Sequence, residues 1–130
     1  MTRAMKRAFA FAMVASFTLG ACGGDKKAAE PAGDPAAVAE AKEVWDTRCT
    51  TCHGADGSGN GPGAAALNPK PRSFKDPKWH MTANNDKIKK VIVEGGGAVG
   101  LSATMTPNPD LKDKAAVLDE LVKKIRSFKP

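Results

Sequence analysis

The run Cys49-Thr50-Thr51-Cys52-His53 limits what this chain can fold into more than any other stretch. Its C-x-x-C-H spacing lets two thiols add across the vinyl groups on one edge of a haem, while the next residue brings an imidazole to the iron. A polypeptide that carries such a group has to wrap around a flat apolar body. Other uses of these residues fit poorly. A structural zinc site needs four ligands, usually as two spaced pairs, and here one Cys pair accompanies only two histidines, His53 and His80. A thioredoxin-type C-x-x-C sits beside a βαβ pattern, yet no strand-like run of Val, Ile and aromatics precedes Cys49. The single motif predicts one haem c, bound through thioethers from Cys49 and Cys52 with His53 on the iron.

The third cysteine has a different context. Arg3, Lys6 and Arg7 precede the apolar run Ala8 to Leu19, which has the form of a secretory signal and is too short to span a bilayer. The run ends in Leu19-Gly20-Ala21-Cys22, similar to a bacterial lipobox. Residues 1–21 are therefore expected to be a lipoprotein signal peptide and Cys22 the lipidated N-terminus. Ordinary cleavage is the alternative, and it would leave a free thiol in an oxidising compartment. The polar, Gly/Ala/Pro-rich stretch that follows makes 22–34 a flexible tether, with a reach on the order of 20 Å. Several acyl chains would hold the domain at residues 35–130 on the periplasmic side of a membrane. Gly23, where an inner-membrane retention signal has Asp, favours the outer membrane. Loss of Arg3, Lys6 and Arg7 lowers the formal charge from +6 to +3. No interleaved aromatic and basic platform suggests nucleic acid.

The folded part reads as all-α, with three main helices and long loops. Asp34-Pro35 predicts an N-cap and first helical residue, with Val38, Ala41, Val44 and Trp45 as the apolar positions of a helix over about 35–48. A second helix is expected over about 85–94, capped by Asn85 or Asn84, striped by Ile88, Val91 and Ile92, and stopped at Gly95. In the third, Asp113 caps and Leu118, Leu121, Val122, Ile125 and Phe128 share one face, with Lys123, Lys124, Arg126 and Lys129 near its C-terminal end. The loop from Gly54 to Gly63 is neither a phosphate cradle, since no strand precedes it, nor a calcium loop, since Leu67 holds the position of the closing Glu. Its glycines are expected to let backbone pass close to the porphyrin edge.

A second axial ligand would come from Met105, Met81 or His80, or the position would stay open. Met105 lies in an irregular loop stiffened by Pro107 and Pro109, whereas Met81 sits where a core role is ordinary, so Met105 is the expected ligand. Taken together, C-T-T-C-H-G, a glycine-rich loop ending Gly61-Pro62, a Met-x-Pro loop and a C-terminal amphipathic helix resemble a class I monohaem cytochrome c over about residues 36–129. Many members have Met-Pro where this chain has Met105-Thr106-Pro107. The resemblance implies that first and last helices pack across each other. It also implies that a proline carbonyl, here Pro62, accepts the Nδ1 proton of His53. Trp79 and Arg72 are candidate donors to haem propionates, against plain roles in core and surface. Between residues 70 and 90, Lys70, Arg72, Lys75, Lys78, Lys87, Lys89 and Lys90 face only Asp76 and Asp86, a basic stretch suited to an acidic redox partner. With His53 and Met105 both on the iron, the expectation is a monomeric one-electron carrier and not an enzyme. The alternatives are a haem subunit of a larger oxidoreductase complex, and a sensor or enzyme with an open sixth position.

Overall fold

A computed structural model of the protein describes residues 33–130; the expected signal peptide, Cys22 and nearly all of the tether lie outside them. Helix α1 runs over Pro35–Val44, started by Asp34, whose carboxylate accepts the Ala36 N–H at 3.1 Å. It does not end there. A π-helical turn over Trp45–Cys49 leads into α2, Thr50–His53, so the helix expected over 35–48 continues through the whole C-x-x-C-H motif. Such turns insert an extra residue and are common at functional sites.

The buried face of α1 is Ala37, Ala41 and Val44, continued by Trp45 in the π-helical turn. This corrects the expected stripe at one position, because Val38 is 43% exposed. Positions 37, 41, 44 and 45 keep the helical repeat, and alanine carries too weak a hydropathy signal to outrank a neighbouring valine. The small alanines let α1 pack closely on α5, Ala115–Arg126. From α5 come Val117, Leu118, Leu121, Val122 and Ile125, which fill the core with Leu111, Phe74 and the α4 residues Ile88 and Ile92. Helix α4 spans Asn85–Glu94; Asn84 caps it by accepting the Lys87 N–H at 2.8 Å, and Gly95 ends it at φ +80°.

Two elements differ from expectation. Asp113 does not cap α5: the N-cap is Lys114, with no side-chain cap bond. The chain arrives through a 3-10 turn at Pro109–Leu111, and the Lys114 N–H returns to the Leu111 carbonyl at 3.0 Å, which carries the helix start past Asp113. A short helix, α3 over Pro77–Thr82, was not expected. Asp76 caps it through the Lys78 N–H at 2.9 Å, the same Asp-Pro signal that starts α1. Among the described residues no helix is long and apolar enough to cross a membrane.

The corrected core face makes a prediction. Leu121→Ala removes a side chain only 1% exposed and is expected to cost about 2–5 kcal/mol, while Val38→Ala should stay within about 0.5 kcal/mol. Urea unfolding of the two variants measures the difference.

Candidate haem site

Helix α2 ends at Gly54, whose φ is +77°, and the chain then turns back on itself. The glycines of this loop do not meet the cleft described below. A Cβ on Gly59 would lie 2.6 Å from the Pro71 carbonyl, and one on Gly61 would lie 2.4 Å from the Thr50 and Thr51 carbonyls. They allow backbone to lie against backbone, not against a porphyrin edge as expected. Asp56 closes the loop: its carboxylate accepts the Ser58 N–H at 3.1 Å and pairs with Lys75 at 2.6 Å. The Phe74 N–H donates to the Gly57 carbonyl at 2.7 Å. Residues 71–74 are thereby laid alongside the end of α2.

That placement settles what holds His53. Its Nδ1 lies 3.0 Å from the Arg72 carbonyl, so Nδ1–H donates and Nε2 keeps the lone pair free for a metal. Phe74 stacks on the imidazole, with ring centroids 4.6 Å apart and planes 17° from parallel. Burial holds the His53 pKa below its ordinary value, against a smaller opposing effect of the Arg72 carbonyl. The expected acceptor, Pro62, is exposed and does not receive this bond. The loop is longer than the proline assignment supposed, and the backbone that returns beneath the imidazole is that of Arg72.

A second histidine supports the same segment. The buried His80 has Nε2 2.6 Å from the Phe74 carbonyl, and its Nδ1 lies 3.1 Å from Arg126 Nη1. Nε2 must therefore donate and Nδ1 accept. Arg126 is spread over the His80 and Ala83 carbonyls and the Asn85 amide oxygen. Both nitrogens of His80 are committed to the protein. Sequence reading missed this role because its partners lie 6 and 46 residues away.

Cys49, Cys52 and His53 line one cleft, of about 510 Å³, together with Leu67, Phe74, Trp79, Ile88, Val91, Ile92, Leu101 and Met105. Burial pushes the Cys49 thiol up to about 11, with Arg48 opposing, so it is protonated at neutral pH. Arg72 also lines the cleft. Met81, by contrast, is 75% exposed and takes no part in it. The chemistry of the walls fits a haem: mostly apolar side chains, two thiols at C-x-x-C spacing, and an imidazole with its Nδ1 proton already placed.

The family model for cytochrome c matches residues 38–122, most of the described chain. The chain belongs to the cytochrome c family. No curated protein matches it. A solved structure of a c-type cytochrome, KustC0563, is similar at 29% sequence identity and a TM-score of 0.49, covering 68% of this chain and 95% of that one. Members of the cytochrome c family bind haem c covalently, and Cys49, Cys52 and His53 form the motif that takes it. The bound group supplies a one-electron couple between ferrous and ferric iron, so this is a haem-based electron-transfer protein, in a family made up in general of carriers and not enzymes.

The glycine loop should respond to acid. Lys75, then Ser58, hold the Asp56 carboxyl well below the usual carboxylate range. The folded state therefore favours the ionised form. Its contribution is fully present above the unfolded value of about 3.9 and fades as pH falls through the folded one. Asp56→Asn is expected to lower the melting temperature by a constant amount between about pH 5 and 8. That gap should close progressively below about pH 4, as followed by thermal melts across the range.

Proposed function

We propose that the protein is a membrane-tethered one-electron carrier whose haem iron is held by His53 and Met105. The observation that carries this reading is the company Met105 keeps: it lines the same cleft as Cys49, Cys52 and His53. Its rivals are engaged elsewhere, Met81 at the surface and His80 between Phe74 and Arg126. Two protein ligands fill both axial positions, which leaves no place for substrate or oxygen and raises the reduction potential. The centre then stores and releases charge without bond chemistry, and the protein is not an enzyme.

Lipid on Cys22 and the tether to residue 34 would keep the monomeric domain at the periplasmic face of a membrane, the outer one where the cell has two. Its partners would be redox proteins with an acidic docking face. The basic stretch is quieter than its sequence suggests. Lys75 pairs with Asp56, Lys89 with Asp119 and Lys90 with Glu94, while Lys70 donates to the Ala64 and Ala65 carbonyls. The basic groups that line the cleft are Arg48, Lys70, Arg72 and Lys87; Arg48 pairs with Asp110 and Arg72 with Asp76, so Lys87 is the one expected to meet an acidic partner first.

The optical spectrum tests the ligand pair. The oxidised protein should show the weak long-wavelength band of sulfur bound to ferric haem, and its reduced form should not take up carbon monoxide on mixing. Met105→Ala is expected to lose the band and gain carbon monoxide binding, while Met81→Ala changes neither. A band that survives Met105→Ala would defeat the assignment, and immediate carbon monoxide uptake by the unaltered protein would favour a sensor or enzyme with an open position.

A further inference from the structure

The strap that carries Met105, residues 101–111, is fastened along two edges. On the α4 side the Gly96 N–H donates to the Met105 carbonyl at 2.9 Å, and the Leu101 N–H donates to the Gly96 carbonyl at 2.8 Å. The Asn108 N–H and side-chain Nδ2 both donate to the Ile92 carbonyl, at 3.1 and 3.0 Å. A Cβ on Gly95 would lie 2.9 Å from the Met105 carbonyl oxygen, so strap and helix end touch with no room between them.

The other edge is held by one side chain. Arg48 Nη1 lies 3.0 and 2.9 Å from the two carboxylate oxygens of Asp110 and 3.3 Å from Asn108 Oδ1. Among the described residues, these are the hydrogen bonds that join the segment bearing Cys49, Cys52 and His53 to the strap. Asn108 sits between Pro107, whose ring fixes its own φ, and Pro109, which restricts the Asn108 backbone before it. A pull at Asn108 or Asp110 is therefore passed along a stiff chain to Met105, three and five residues away.

We propose that Arg48 is a positioning residue for Met105, a latch that closes the strap across the cleft and sets how readily the sixth position opens to an outside ligand. This rests on the reading that Met105 binds the iron. Arg48 and Asp110 keep 44% and 48% of their side-chain surface in solvent, and pairs of that kind add little to global stability. The latch consequently acts on local opening and not on unfolding. Being exposed, it is also weakened by salt.

Imidazole binding to the oxidised holoprotein tests the proposal, with the sulfur band as the monitor of Met105. Arg48→Ala is expected to bind imidazole about three- to tenfold more tightly than the unaltered protein, with a nearly unchanged urea midpoint. Asp110→Asn, which leaves the residue next to Cys49 intact, should behave alike. The exchanged pair Arg48→Asp with Asp110→Arg should restore most of the loss. Raising the salt should tighten imidazole binding in the unaltered protein and not in Arg48→Ala. Equal imidazole affinity and equal salt dependence in all forms, with the sulfur band present, would overturn the latch alone. Absence of the band from the unaltered protein would overturn the Met105 reading and the latch with it.

Discussion

The hydrogen bond from His53 Nδ1–H to the Arg72 carbonyl, made under a stacked Phe74, is the interaction on which the rest of the site depends. It chooses the tautomer, and the tautomer decides which nitrogen is left to bind a metal. A backbone carbonyl is a good partner for this purpose, since no side-chain rotation can remove it. The surrounding structure reads as the means of keeping that carbonyl in place. Gly57 accepts the Phe74 N–H, Gly59 lets the Pro71 carbonyl approach, and His80 donates to the Phe74 carbonyl.

The apolar core and the site are one continuous body. Phe128, Trp45, Phe74 and His53 follow one another at centroid separations of 5.3, 6.2 and 4.6 Å, so the crossing of α1 and α5 runs directly into the imidazole. Trp45 begins the π-helical turn that ends at Cys49, which couples the packing of α1 to the position of the first thiol. A small domain with few aromatic residues places most of those in its folded part along this one line. Polar groups buried beside it, His80 above all, are satisfied by the backbone and by Arg126, as a low-dielectric surrounding demands.

Local signals were legible in the sequence and distant ones were not. The C-x-x-C-H spacing, the Asn84 cap, the Gly95 stop and the run from Leu118 to Ile125 on the apolar face of α5 each depend on residues within two helical turns and appear as read, whereas Phe128, expected on that face, lies past the helix end at Arg126. The Asp76-Pro77 start of α3 was as legible as Asp34-Pro35 and was passed over because no long apolar stripe followed it. Arg72 in place of Pro62 is a different kind of miss. The acceptor is a carbonyl, which every residue possesses, so nothing in the side chain marks it, and 19 residues separate it from His53. Arg48 and Asp110, 62 residues apart, were equally unmarked until the fold brought them together. The free charge of the basic stretch was not legible, because three of its neutralising partners, Asp56, Glu94 and Asp119, lie outside it.

We read the cleft as presenting two protein ligands to a single iron, His53 through its free nitrogen and Met105 through sulfur. The proton spectrum of the reduced, diamagnetic protein tests it most directly, because a methyl group held over the face of a porphyrin feels the full ring current. The Met105 methyl resonance is expected far upfield of every other methyl, while that of Met81 keeps its ordinary position. A Met105 methyl found within the common envelope would contradict it.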